Sequence, residues 1–181
     1  MTNPTLVAEL RETLREGRAR LLKPQPPARL GRVWLNEHTA LLDGVLSRIF
    51  TAAWDKARAT HGDWNHDRAH PESEAGLALL AIGGYGRREL CPHSDIDIAF
   101  VTAEEENPML DAAVKEAFRL IVEILIDGER LDVAYAYRPL GDCERLDFKD
   151  KTALLDGRLI AGSHWLPHRC LLYTSPSPRD S

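Results

Sequence analysis

Asp95 and Asp97 stand two residues apart in Ser94-Asp95-Ile96-Asp97-Ile98, at the start of an apolar stretch that ends near Val101. Side chains of a strand alternate between its faces, so the two acids share one face while Ile96, Ile98 and Phe100 take the other. Two carboxylates side by side repel unless a cation lies between them. Hard divalent ions such as Mg²⁺ take oxygen ligands of this kind, usually one or two protein carboxylates plus substrate phosphates. Upstream, the apolar run Leu77–Ile82 ends in Gly83-Gly84. A glycine pair lets the backbone turn sharply and come close to a ligand, and N–H groups exposed there can hold phosphate oxygens. Arg87 follows, and a guanidinium matches the geometry of a phosphate. A phosphate cradle followed by a carboxylate clamp points to metal-assisted phosphoryl or nucleotidyl transfer.

The elements that must carry these groups are strand, glycine corner, connector, strand. Ahead of them, Leu6, Leu10, Leu14 and Leu21 predict a helix over 5–22, and a proline-rich linker follows at Lys23–Arg29. Leu35, Leu42, Val45, Leu46, Ile49, Phe50 and Trp54 predict a long helix over Val33–Ala59. Thr60–Ala75 is polar and turn-rich. It holds His61, His66 and His70, but neither the spacing nor a neighbouring Cys makes a zinc motif, and a solvated loop is expected. After the second strand, Pro108 fits the first turn of a helix that runs to about residue 126 and is closed by Asp127-Gly128. Arg130–Arg138 alternates, with Leu131, Val133, Tyr135 and Tyr137 on one face and Asp132, Ala134 and Ala136 on the other. An acid followed by two alanines leaves room beside a carboxylate. Asp127, Asp142 and Asp147 are competing acids, but none lies on an alternating strand. Asp150–Gly162 reads as one further helix, while Arg169–Ser181 follows no period.

At 181 residues and 44% hydrophobic content the chain has room for one sizeable domain. Its net charge of −5 argues against a dedicated nucleic-acid binder. No apolar run approaches a membrane span, and the charged N-terminus is not a secretory signal. Cys91, Cys143 and Cys170 form no CxxC pair, so reduced thiols and a cytoplasmic location are expected.

The stretch Ile82-Gly83-Gly84, ten residues, then Asp95-Ile96-Asp97-Ile98 resembles the signature of nucleotidyltransferases with the polymerase-β type of palm. The fuller wording Gly83-Gly84-Tyr85-Gly86-Arg87, Glu89-Leu90, Pro92, Ser94-Asp95-Ile96-Asp97 is similar to that of the bacterial PII-protein uridylyltransferases. So are Thr152, Leu154-Leu155-Asp156, Arg158-Leu159 and Gly162, and the resemblance runs over roughly 33–166. It implies an α/β (α+β) palm: a small mixed sheet flanked by helices and preceded by an N-terminal helical segment. The domain layout expected from this is a helix and linker over 1–32, a nucleotidyltransferase domain over 33–166 and an irregular tail over 167–181.

The resemblance further implies a third carboxylate on a later strand, for which Asp132 is the candidate, able to share a metal and assist deprotonation of the attacking hydroxyl. Two Mg²⁺ ions would then be held by Asp95, Asp97 and Asp132, with Gly83, Gly84, Arg87 and Ser94 on the nucleotide. It implies UTP as substrate and a tyrosine hydroxyl of the PII signalling protein as acceptor, with no nucleic acid and no membrane as partner. The chain departs from the family wording at Arg88, where glycine is common, at Asp132, where glutamate is usual and one methylene longer, and at Tyr135, where histidine is usual. Family members continue into a phosphohydrolase domain and two small regulatory domains, so an N-terminal fragment is expected. The tail Arg169–Ser181 resembles the translated read-through of a sequencing adapter and is expected to be foreign. Three alternatives stay open: an adenylyltransferase of the glutamine-synthetase kind using ATP, a nucleotide sensor without catalysis, and a small antitoxin or resistance transferase.

Overall fold

The computed structural model describes residues 4–24, 31–62, 76–146 and 148–174. Two helices come first, α1 (Pro4–Leu22) and α2 (Arg32–His61). Val7, Leu10, Leu14 and Leu21 of α1 are buried at the predicted spacing. Gly17 lets the two helices approach closely, because a Cβ there would lie 2.6 Å from the methyls of Leu41. On α2 the buried stripe is Leu42, Val45, Leu46, Ile49, Phe50, Ala53 and Ala57.

Then come β1 (Leu77–Ala81), a single helical turn α3 (Gly83–Gly86) and β2 (Ile96–Thr102). Asn107 caps α4 (Pro108–Ile121): its Oδ1 accepts from the backbone N–H groups of Met109 at 3.0 Å and Leu110 at 3.2 Å, with Pro108 behind it. The helix runs on through a π-helical turn, Val122–Ile126, into the short α5 (Asp127–Glu129). After β3 (Val133–Pro139) and a 3-10 turn (Leu140–Arg145) come α6 (Phe148–Leu155), β4 (Arg158–Gly162) and α7 (Trp165–Thr174).

The four strands form one mixed sheet in the order β3-β2-β1-β4. β1 is antiparallel to both β2 and β4, and β2 is parallel to β3. Alternation divides the core in two. Leu77, Leu79 and Ala81 of β1 and Ile96, Ile98 and Phe100 of β2 pack with α1, α2 and α4. Ala78, Leu80, Ala99 and Val101 pack on the opposite face with Cys143, Leu154, Leu166 and Cys170. The expected α/β palm is thus the observed architecture, a small mixed sheet flanked by helices behind an N-terminal helical segment.

Four expectations are corrected. Gly128 does not close the helix. The π turn carries the backbone past it, and Arg130 ends the element in the left-handed region at φ 54°, with its own N–H and that of Leu131 bonded back to Ile126 and Leu125. Asp150–Gly162 is not one helix but α6 and β4. Leu159 and Ile160 are neighbours that serve opposite faces of the sheet, which a strand permits and a helix does not.

Residues 169–174 are helical. Leu166 and Cys170, four apart and both buried, supply a period that a reading begun at Arg169 misses. Lastly, Cys143 and Cys170 form a disulfide, while Cys91 is free and exposed. They lie 27 residues apart, on the 3-10 turn and α7, which cover the same sheet face, and no local spacing announces such a pair. His66, His70, Asp147, most of the Lys23–Arg29 linker and the last seven residues lie outside the described residues.

Candidate active site

The glycine corner is built by β1 meeting α3. Ile82 donates its N–H to the Asp97 carbonyl at 3.0 Å, which ties the corner to β2. Gly83 has φ 56°, in the left-handed region. A Cβ on it would come within 3.3 Å of Asp97 Oδ2, so the carboxylate lies directly against the glycine backbone. The N–H groups of Gly83 and Gly84 belong to the first turn of α3, the positions that a helix leaves without an acceptor of its own.

What holds this turn in place was not apparent from the sequence. Tyr85 is fully buried, and its hydroxyl donates to Asp43 Oδ1 of α2 at 2.7 Å. Arg158 at the start of β4 grips the same carboxylate with both Nη atoms, at 2.8 and 3.0 Å, and its guanidinium stands 5.5 Å from the centre of the Tyr85 ring. Burial, reinforced by Asp43, drives the Tyr85 pKa far above its ordinary value, so the phenol stays protonated as a donor. Gly86 has no room for a side chain, since a Cβ would fall 2.1 Å from the Asp156 carbonyl. Asp43, Tyr85, Asp156 and Arg158 are therefore site-supporting residues to which the sequence reading gave no role, although Tyr85, Asp156 and Arg158 stand in the wording that carries the family resemblance. For Asp43 the signal was an acid beside the apolar stripe of α2.

Arg87 is not a free cation. Its Nε donates to Glu89 Oε2 at 2.9 Å and its Nη1 to Asp156 Oδ2 at 2.5 Å. Arg88 takes φ 61°, an uncommon conformation for a side chain other than glycine. Ser94 is exposed in the turn that delivers Asp95, its N–H bonded to the Cys91 carbonyl at 3.1 Å. No hydrogen bond joins Ser94 to the glycine turn among the described residues.

Register sets the three acids side by side. β2 and β3 pair in parallel, with Ile96 opposite Val133 and Asp97 opposite Ala134. The Ile96 N–H donates to the Asp132 carbonyl at 2.9 Å, which places Asp132 beside Asp95 at the entrance to the two strands. Alternation sends Asp95, Asp97 and Asp132 to the same face of the sheet. Asp95 and Asp132 are exposed and Asp97 is half-buried. Burial raises the Asp97 pKa, and the neighbouring Asp95 adds to it. Among the described residues none donates a side-chain hydrogen bond or forms an ion pair with any of the three carboxylates. By contrast, Asp43, Glu89, Asp150 and Asp156 each have an arginine.

The donor set therefore fits a hard cation: oxygen ligands, mutually repelling, with no counter-charge from the described residues. Still, no three metal-competent side chains among the described residues already converge on one point. The acids are aligned rather than closed around an ion. Of the competing acids, Asp127 opens α5, and Asp142 lies in the 3-10 turn that follows the other end of β3. Tyr135 faces the other way, half exposed, with its ring 4.2 Å from that of Phe118.

Residues 28–120 match the model of a family described as glutamate-ammonia ligase adenylyltransferase. That match takes in the glycine turn, Asp95 and Asp97 and ends before Asp132. Among curated proteins, the chain is 31% identical over 137 residues to a bifunctional uridylyltransferase/uridylyl-removing enzyme of Cereibacter sphaeroides, covering 74% of this chain and 13% of that protein. Proteins of the same description from Azospirillum brasilense (30% over 169 residues, 92% of this chain and 17% of the relative) and Pseudomonas putida (33% over 134 residues, 72% and 13%) are similar to it as well. The chain spans less than a fifth of the length of these relatives.

Proposed function

The chain belongs to the glutamate-ammonia ligase adenylyltransferase family of nucleotidyltransferases, and from that premise we propose that it carries the transferase core of an enzyme that moves UMP from UTP to a tyrosine hydroxyl of a PII signalling protein, releasing pyrophosphate. The observation that carries the reading is the alignment of three carboxylates, without an ion-pair partner among the described residues, at the entrance to β2 and β3, beside a glycine turn. The choice of UTP follows the printed names of the relatives.

In this proposal Gly83 and Gly84 bind the triphosphate through their N–H groups, with Arg87 and Ser94 beside them. Asp95 and Asp97 are the metal ligands, with Asp132 sharing one ion. Two Mg²⁺ ions would supply polarisation of the α-phosphate, a lowered pKa for the acceptor hydroxyl and neutralisation of the departing pyrophosphate. Asp132, exposed at the strand entrance, would accept the acceptor's proton. A buried and fixed Tyr85 keeps the turn from yielding when the charged ligand arrives. The reaction is placed in the cytoplasm, where UTP and the acceptor are met; no helix among the described residues is long and apolar enough to cross a membrane.

The direct test replaces Asp95 and Asp97 together by Asn and follows labelled UMP from UTP onto PII. The expected result is loss of transfer with an unchanged circular-dichroism spectrum, and undiminished labelling by the double variant would refute the assignment. A second reading is favoured by the family model, whose description names an adenylyltransferase. ATP competing with UTP in the same assay, with AMP appearing on the acceptor, would select it. Nucleotide binding without any pyrophosphate release would instead select a sensor.

A further inference from the structure

The segment Asp156-Gly157-Arg158, between α6 and β4, touches the glycine turn at three points. Its first carbonyl fills the space a Gly86 side chain would need, Arg158 locks Tyr85 to Asp43, and the Asp156 carboxylate takes Arg87 Nη1. The third contact has a geometric consequence. Arg87 presents three donor groups. Glu89 occupies Nε and Asp156 occupies Nη1, while Nη2 lies 4.0 Å from the position a Gly84 Cβ would take. Two carboxylates thus fix the plane of the guanidinium and leave its remaining nitrogen over the glycine turn. A guanidinium held this way meets an anion without first losing its own freedom of orientation.

We infer that Asp156 is a positioning residue for nucleotide binding, acting through Arg87, which it holds with one N–H pair directed at the phosphates on the Gly83-Gly84 turn. The inference rests on the transferase reading for the identity of the anion. It also gives a physical meaning to the acid of the Leu155-Asp156-Gly157-Arg158 stretch, which lies 69 positions beyond Arg87 in the chain.

The test is a double-mutant cycle read by UTP binding, with calorimetric titration of the unaltered chain, Asp156→Asn, Arg87→Ala and the pair, in Mg²⁺ buffer. Each single variant is expected to weaken UTP binding by roughly fivefold, and the pair by no more than the weaker single, because both act on the same N–H group. Asp156→Glu keeps the acceptor and is expected to recover part of the affinity. Both singles should melt close to the unaltered protein, since these side chains are largely exposed.

Three results would overturn the inference while leaving the transferase reading intact: UTP binding indifferent to Asp156→Asn, losses that simply add in the pair, or tighter binding by Asp156→Asn. The last would mean that Asp156 competes with phosphate for Arg87. Failure of the unaltered chain to bind UTP at all would overturn the uridylyl-transfer reading itself.

Discussion

At the scale of single residues, backbone conformation separates two positions five residues apart. Gly83 (φ 56°) and Arg88 (φ 61°) both lie in the left-handed region, but only one is a glycine. Placing a side chain in that region costs about 1–2 kcal/mol, against roughly 0.5–1 kcal/mol of unfolded-chain entropy that glycine brings. Arg88→Gly is therefore expected to raise stability by about 0.5–1 kcal/mol, and Gly83→Ala to lower it by about 1–2 kcal/mol. Urea midpoints at constant slope would check both. Gly83 was legible because a glycine pair after an apolar run announces a turn. Arg88 was legible only as a departure from family wording, for no property of arginine reports its φ. The support around Tyr85 was hidden for a related reason: Asp43, Tyr85 and Arg158 meet across 115 positions, and no local period joins them.

At the scale of elements, strands with clean alternation were readable and the others were not. β2 and β3 carry their acids in an alternating pattern, and so a shared face for Asp95 and Asp97, with Asp132 on the alternating strand beside them, was predicted, whereas β1 is apolar throughout and its faces show only in the packing. β4 is five residues long with two adjacent apolar side chains, so it looks like part of the helix before it. The π turn is invisible for a different reason. It is a hydrogen-bonding choice made by α4 in contact with α1, where the Glu123 carbonyl accepts from Arg11 Nε at 3.1 Å and Nη2 at 2.6 Å. Arg18 reaches the Glu129 carbonyl in the same way, at 3.5 Å. The N-terminal helix thereby steadies the segment that leads into Asp132. Arg11→Ala is expected to cost about 1–2 kcal/mol, the usual loss for a charged donor to a partly buried carbonyl. Hydrogen exchange should accelerate over residues 122–131. Arg15→Ala, which breaks an exposed pair with Glu12, should do neither.

At the scale of the whole molecule, the buried His38 connects α2 to the chain beyond the glycine turn. Its Nδ1–H donates to the Leu90 carbonyl at 3.2 Å. Burial lowers its pKa below the ordinary 6.5, a shift the Leu90 bond opposes and Arg18 reinforces. Below about pH 6.5 the unfolded chain takes a proton that the folded one refuses, so this part of the stability is present above that pH and lost as the pH falls toward the folded value. The unfolding free energy of the unaltered protein, from urea unfolding, should fall more steeply from pH 7 to pH 5 than that of His38→Gln, by at most about 1.4 kcal/mol per pH unit. Identical slopes would show that His38 does not titrate in this way. Composition and spacing revealed the class of this molecule and one face of its sheet. They missed the Cys143–Cys170 bond and α7, which depend on what packs against the other face.

The central place of β1 has a consequence for how the protein is made. One of its edges is taken by β2, the next strand in the chain, but the other waits for β4, with 76 residues between Ala81 and Arg158. At 5–20 residues per second, a ribosome leaves that edge uncovered for roughly 4 to 15 s. For that interval Leu77–Ala81, an unbroken apolar stretch, presents open backbone to any passing strand. The nascent chain thus keeps one edge of its central strand open to mispairing until β4 has been made, well after Asp95 and Asp97.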